Sequence, residues 1–228
     1  MHFERATMNV LSLLASVAAA AGAEPTVPPD VILNGMEGYY ERAFTSMMPY
    51  RAERRYFATH RLLTRPTYWI VDEEFRGFGH QTFHVREKCG PGAIHHLVFE
   101  PLLEVEQRSN QPSERRSFDI TRRNYRFDFR GWDAQRNAWV FDVEPNTSNP
   151  YLFRGRIWVD AATYGVFRIE GEPGGDPSVM VRRTRFVHEF ELVGGFWLPS
   201  RHRSEVHLVA LGKASFGIDY YNYRMGVE

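Results

Sequence analysis

The chain of 228 residues carries 28 basic and 28 acidic side chains, so its formal net charge is zero. Without an excess of Lys and Arg there is no electrostatic reason to bind phosphate backbones, and we expect no nucleic-acid partner. Apolar residues make up 43% of the sequence and aromatic residues 14%, which is enough to bury a sizeable core and excludes general disorder.

The amino terminus is typical of a secretory signal. Residues 1–23 contain a short leader with Arg5, an uncharged apolar stretch and small residues up to Ala23. The apolar stretch is shorter and richer in Ala than a bilayer span, which needs about 20 strongly apolar residues. We therefore predict cleavage near Ala23, a periplasmic location, and a single mature domain over residues 24–228 with no stable membrane span.

The sequence has one cysteine, Cys89. A single cysteine cannot close an internal disulfide, and none stands at the predicted cleavage site to carry a lipid anchor. We expect a monomer that folds on its hydrophobic core without disulfides.

One helix is predicted near the start of the mature chain, over residues 30–48, with Asp30 as its cap. Its apolar residues recur at steps of three and four, which indicates one buried stripe. They are Ile32, Met36, Tyr39, Ala43 and Met47, with Leu33, Tyr40, Phe44 and Met48 as an adjacent stripe.

From residue 54 onward the hydrophobic pattern has a period of two, as in Tyr125, Phe127 and Phe129, which is typical of half-buried strands. Short polar turns between the strands favour antiparallel hairpins. The segment 107–123 is predicted as a loop or one helical turn. The further predicted strands are 54–61, 67–75, 78–86, 94–106, the strand around 139–144, 151–160, 165–172, 179–192, 197–210 and 213–224.

The fold class is therefore mainly β, with some α. About eleven strands and one N-terminal helix fit an unclosed, strongly curved antiparallel β-barrel covered by that helix. A two-sheet sandwich is the alternative, because its inner faces alternate equally well.

The histidines do not form a recognisable metal motif. His80 and His84 have a spacing of four, but the local pattern predicts a strand, in which the two residues are about 13 Å apart. In the predicted strand 94–106, His95 and His96 point to opposite faces. We expect no metal and no cofactor.

No catalytic residue is predicted either. The window around Ser215 lacks the first Gly of a nucleophile elbow. Carboxylates such as Glu104 and Glu106 are explained as solvated strand faces, so we expect that the protein is not an enzyme.

Large apolar side chains line the predicted inward faces, and they fit either an ordinary core or a ligand cavity. From the helix they are Met36 and Tyr40, and from the strands Phe127, Phe129, Trp139, Phe141, Phe153, Ile157, Phe167, Ile169, Phe186 and Phe190.

Two segments, 151–173 and 182–204, resemble bacterial envelope proteins of the outer-membrane lipoprotein-sorting type, the LolA/LolB-like superfamily. The resemblance is carried by Ile157-Trp158-Val159-Asp160, by Phe167-Arg168-Ile169-Glu170 and by Gly195-Phe196-Trp197-Leu198-Pro199. It implies an unclosed barrel whose apolar concave face holds the acyl chains of lipoproteins or other lipids. It also implies an arginine that controls a lid, for which Arg42 and Arg154 are candidates, with Arg51 a further one.

The leading hypothesis is thus a soluble periplasmic carrier or binder of lipid or lipoprotein acyl chains, which hands its cargo to another envelope protein. The alternative is a non-enzymatic interaction or sensor module whose core is filled by its own side chains. A hydrolase with scattered carboxylates or histidines is the least favoured hypothesis.

Overall fold

The structure, a computed structural model, describes residues 26–175 and 181–226; the predicted signal segment lies outside them. Helix α1 is Pro29–Ser46. The segment 92–109, here α2, consists of the turn Gly92–Ile94, the π-helical stretch His95–Phe99 and the α-helix Glu100–Ser109. The strands are β1 Tyr50–His60, β2 Thr67–Phe75, β3 Gln81–Cys89, β4 Tyr125–Asp133, β5 Ala138–Pro145, β6 Phe153–Asp160, β7 Val166–Pro173, β8 Val181–Val193, β9 Phe196–Leu208 and β10 Gly212–Met225.

The predicted helix 30–48 is confirmed as α1, with different ends. Pro28 is the N-cap and Asp30 lies in the first turn, where its charge favours the positive end of the helix dipole. The helix ends at Ser46, because residues that precede Pro49 avoid the helical conformation. One side of α1 is buried, through Ile32, Leu33, Met36, Tyr39 and Ala43.

The strands form one antiparallel sheet in the order β3-β2-β1-β10-β9-β8-β7-β6-β5-β4. In the described residues β3 and β4 are its two edges and do not pair with each other, so the curved sheet is an unclosed barrel. The connections from β4 to β7 and from β8 to β10 are short, as a meander requires, and residues 176–180 between β7 and β8 lie outside the described part of the chain. The expected fold class is confirmed, and the sandwich alternative is not adopted.

One predicted strand, 94–106, is wrong, because these residues belong to α2. Ile94, Val98 and Leu102 recur every four residues and pack together against the sheet. Pro101 stands at the start of the α-helical part, where its missing N–H costs no hydrogen bond. The described sheet has ten strands instead of about eleven, and His95 and His96 lie on a helix instead of on opposite faces of a strand.

The segment 107–123, predicted as a loop or one helical turn, contains the end of α2 and a short 3-10 helix, Arg115–Ser117. Arg115 donates a hydrogen bond to the backbone oxygen of Tyr40. Arg122 donates to Glu37, and its guanidinium holds the pKa of that carboxyl below its ordinary value. This segment therefore fixes α1 against the sheet.

In the described part of the chain, no helix is both long and apolar enough to cross a membrane.

Candidate functional site

The inward face of the sheet can be followed along one row of register partners. This row crosses nine strands from β4 to β2 and is apolar except for two histidines at its middle. Its members are Phe129, Phe141, Ile157, Ile169, His188, His202, Ile218, Tyr56 and Trp69.

Helix α1 closes one end of this inward face. Ile32 and Met36 are fully buried against Phe141 and Ile157 of β5 and β6. The approach is close, because a Cβ added at Gly35 would overlap the ring of Tyr164. This part of the inward face is a packed core.

Helix α2 covers the other end. Phe99 is fully buried and contacts Tyr56, Trp69 and Phe216 of the sheet. The α-helical part of α2, however, has no fully buried residue, and Leu97 is 77% exposed. The cover over β10, β1, β2 and β3 is therefore thinner than the cover that α1 provides.

Between the two helices, four inward-facing side chains of β8 and β9 are only half-buried. They are Phe186, His188, Phe190 and His202, here called the central strip. Their neighbours in the row, Ile169 and Ile218, are buried. The inward face is thus partly accessible at its middle, and also at its β4 edge, where Phe129 is 37% exposed.

The rings of the central strip contact one another and both cores. His188 stacks on Phe190 at 4.4 Å between ring centroids and meets His202 edge to face at 5.3 Å. His202 stacks on Phe186, which also contacts Phe153 of the α1-covered core. The strip is therefore a continuous aromatic floor.

Both imidazoles of the strip are neutral at neutral pH. Burial, with a smaller contribution from Arg54, lowers the pKa of His188 to about 4. Burial, followed by the effects of His188 and Arg203, lowers the pKa of His202 to about 3. The Nε2 atom of His188 is buried and has no hydrogen-bond partner among the described residues.

The residues expected to line a cavity divide into three groups in the structure. Six of them are buried in the core with α1: Met36, Trp139, Phe141, Phe153, Ile157 and Ile169. Four are half-buried at the edge of that core: Tyr40, Phe127, Phe186 and Phe190. Two lie elsewhere: Phe129 is 37% exposed on the edge strand β4, and Phe167 contacts Trp197.

The position of Phe167 has a local cause. A β-bulge shifts the register between β6 and β7, so Val166 pairs with Val159 and Arg168 with Trp158, and Phe167 is the extra residue. Sequence alternation alone does not reveal such a shift.

The two helices are attached to the sheet in different ways. Backbone Trp197 N–H donates to the hydroxyl of Tyr39 on α1 at 2.6 Å. On the side of α2, Arg54 of β1 donates to Glu106 at 2.5 Å and to the buried Glu73 of β2 at 2.7 Å. Arg54 therefore links α2 to the sheet through a buried ion triad.

The surroundings keep Arg54 charged although it is only 1% exposed. Burial alone would lower its pKa, but Glu106 and Glu73 raise the pKa well above its ordinary value. The guanidinium also lies over the rings of Phe83 and Tyr220, at 4.8 and 4.9 Å. No local sequence pattern points to Arg54, because its carboxylate partners are 19 and 52 residues away in the chain.

The arginines proposed for lid control lie elsewhere. Arg42 is exposed on α1, and the end of its side chain lies beside Gly38 of the same helix. Arg154 points outward from β6, 3.5 Å from Glu144, and Arg51 pairs with Glu74 on the surface. None of these described contacts joins α2 to the sheet.

A second concave feature lies on the outward face of the sheet. This outer groove has a volume of about 1020 Å³ and crosses the strands from β4 to β1. Six arginines and six carboxylates line it, and several pair with each other, as Asp142 does with Arg130 and Arg156. Apolar side chains, among them Phe57, Phe186 and Phe216, share this lining, so the groove is a mixed surface whose paired charges favour a polar partner.

No group of three or more His, Cys, Asp or Glu residues that could hold a metal ion occurs in the part of the chain that the structure describes. Cys89 is a free, half-buried thiol at the end of β3.

No protein-family model matches the sequence, and no curated protein matches it either. Three solved structures are similar in fold. A LolA superfamily protein from Nitrosomonas europaea shares 12% identity over 87% of this chain and 94% of its own, with a TM-score of 0.45. A DUF1329 family protein from Desulfovibrio piger shares 13% identity over 89% and 95%, with a TM-score of 0.46.

The third structure is a proposed outer membrane lipoprotein-sorting protein domain from Vibrio parahaemolyticus. It shares 12% identity over 86% of this chain and 93% of its own, with a TM-score of 0.46. The first and third of these structures carry the LolA superfamily or lipoprotein-sorting names that the sequence resemblance led us to expect.

Proposed function

We propose that this protein is a non-enzymatic periplasmic carrier or binder of lipid acyl chains, those of lipoproteins among them. One observation carries the proposal. The inward-facing Phe186 and Phe190 keep accessible surface at the middle of an apolar face, although Ile169 and Ile218 on the flanking strands are buried. Apolar side chains that remain half-exposed in a concave site favour an apolar ligand, because its burial removes both surfaces from water.

The free energy gained by burying an acyl chain is compatible with reversible binding. Burial of a fourteen-carbon chain contributes at most about 10 kcal/mol, at about 0.8 kcal/mol per CH₂, before the costs of ordering the chain. A net affinity well below this value permits both capture and release.

We place the movable cover in α2 rather than α1. Helix α1 buries five residues and is fixed by bonds from Trp197, Arg115 and Arg122. The α-helical part of α2 buries none, and Arg54 with Glu106 links it to the sheet. The π-helical stretch His95–Phe99, a local irregularity frequent at functional sites, precedes this part and could serve as its hinge.

Lipid analysis of the native protein tests this function. The full chain is expressed with its leader, purified from the cell envelope without detergent, and examined by native mass spectrometry. We expect a lipid adduct that organic extraction removes, and a fluorescent fatty-acid ester that binds the extracted protein saturably. Protein without adduct that also fails to bind the probe would refute the proposal.

The outer groove supports a second candidate function, the docking of an envelope protein. Its interspersed arginines and carboxylates could exchange their internal ion pairs for pairs with a partner. A stoichiometric protein partner captured by wild type, lost in the variant D142R and unaccompanied by lipid, would favour this interaction module over the carrier.

A further inference from the structure

The central strip contains a polar group that its own fold leaves unused. His188 Nε2 is buried and has no hydrogen-bond partner in the described residues. Leaving such a group unpaired destabilises the fold, whereas a Phe or Leu would pack in the same place without this penalty. The flanking register partners in the row, Ile169 and Ile218, show that the row accepts aliphatic side chains.

The position of His188 Nε2, unlike that of the other unpaired buried atoms, favours a role in ligand binding. Other buried side-chain atoms without a partner belong to Trp69, Gln81, Asn110 and Trp139, outside the strip. His188 alone of these five lies among the half-buried rings of Phe190 and His202. His188 therefore lies beside the rings that we propose to contact the acyl chain.

The charges around the strip identify the kind of polar group that would fit. His188 and His202 are neutral, since burial lowers both pKa values far below neutrality. Arg54, the cation that acts on His188, is held by Glu73 and Glu106. Arg203, the cation that acts on His202, is paired with Asp219. A carboxylate would find no available positive charge from these groups, whereas a neutral carbonyl needs only one N–H donor.

We propose that His188 Nε2–H donates a hydrogen bond to the ester or amide carbonyl of a bound acyl chain, so that the central strip selects acyl esters and amides over free fatty acids. The inference rests on the proposed function and adds a substrate class to it. In this arrangement Phe186 and Phe190 contact the hydrocarbon, and His202 supports the imidazole edge to face.

The test compares a fluorescent sixteen-carbon fatty acid with its methyl ester at pH 7.5. For wild type we expect a dissociation constant about 5 to 20 times lower for the ester. His188→Leu should weaken ester binding about tenfold, the equivalent of one hydrogen bond of about 1.4 kcal/mol, and leave acid binding nearly unchanged. His188→Gln, which retains an N–H near the Nε2 position, should restore most of the preference.

The exposed His207 of β9 provides the matched control, and His207→Leu should behave as wild type. If the probes bind but the ester preference is absent or survives in His188→Leu, this inference fails and the proposed function stands. If neither probe binds, both fail.

If His188→Leu does not fold, a measurement on the wild-type protein tests the same hydrogen bond. An ester labelled with ¹³C at its carbonyl should show a downfield shift on binding, together with a perturbed His188 imidazole ¹⁵N signal. A bound ester whose carbonyl signal remains that of an apolar solvent would overturn the assignment.

Discussion

Arg54 on β1 and Glu106 on α2 form an ion pair that joins the second helix to the floor of the sheet. The arginine side chain is 1% exposed and that of the glutamate 28% exposed. Arg54 is thus a buried part of the sheet, and Glu106 is the more exposed partner, which leaves with the helix in the proposed function.

Removing the two partners should have different effects. Arg54→Leu leaves the buried carboxylate of Glu73 without its cation and should lower the free energy of unfolding by about 3–5 kcal/mol. Arg51→Ala breaks an exposed pair with Glu74 and should cost less than about 1 kcal/mol. Urea denaturation measures both, and equal losses would contradict the assigned role of Arg54.

Glu106→Gln should act on the cover and leave the fold intact. The substitution weakens the pair but keeps Arg54 bonded to Glu73, so we expect faster amide hydrogen exchange in 100–109 and faster release of an acyl probe. Exchange in α1 should stay as in wild type. Unchanged exchange in 100–109, with unchanged release, would mean that α2 is not the movable element.

Mutations of core residues and of ligand-contacting residues should have different effects on stability and on acyl-probe binding. Met36→Ala creates a cavity under α1, where the side chain is fully buried, and should cost about 2–4 kcal/mol of stability. Phe190→Ala, at a half-buried position, should cost less stability and weaken acyl-probe binding more. Denaturation and probe titration of both variants decide this, and weaker binding in Met36→Ala alone would place the ligand under α1.

The two glycines of α1 provide a matched pair. Gly35→Ala forces a Cβ into the ring of Tyr164 and should destabilise the protein by about 1–3 kcal/mol. Gly38→Ala meets only the end of the Arg42 side chain at 3.4 Å, and should stabilise the helix by up to about 1 kcal/mol. Thermal unfolding should therefore shift in opposite directions, and a shared direction would contradict the packing of α1.

Acidification should destabilise the fold through the central strip. The unfolded chain protonates histidine near pH 6.5, whereas folded His188 and His202 resist protonation down to about pH 4 and 3. Between these values the unfolded state binds more protons, so the free energy of unfolding falls as the pH is lowered from 7 to 5, by about 2 kcal/mol for each histidine and about 3–4 kcal/mol for the two.

The double variant His188→Phe and His202→Phe should show a flatter profile over this pH range. Glu37 does not contribute there, because its lowered pKa places its own loss of stability at more acidic pH. An equally steep profile in the double variant would assign the pH dependence to other groups.

Local sequence patterns were sufficient for α1 and for most strands. The period-two pattern of Tyr125, Phe127 and Phe129 depends only on neighbouring residues, and it identified β4 correctly. The segment 94–106 failed, because paired apolar residues such as Leu102 and Leu103 fit a strand and a helix equally well. Its four-residue repeat and Pro101 were the signals that could have identified the helix.

The candidate site was less predictable, because it depends on long-range pairing. His188 and His202 become neighbours only through the register of β8 and β9. The positions of the two helices on the sheet determine that Met36 is buried in the core and that Phe190 is half-buried. The alternating pattern identifies the apolar inward face. It does not show which part of that face remains accessible, because this depends on long-range contacts.

Photocrosslinking with an acyl ester that carries a diazirine near the end of its chain tests the central claim most directly, since mass spectrometry then locates the ligand. We predict saturable crosslinks to Phe190, His202 and Tyr40, which do not line the outer groove, and we expect unlabelled ester to compete with them. Crosslinks confined to the outer groove or to exposed Leu97, or none that saturate, would contradict an acyl-chain site on the central strip.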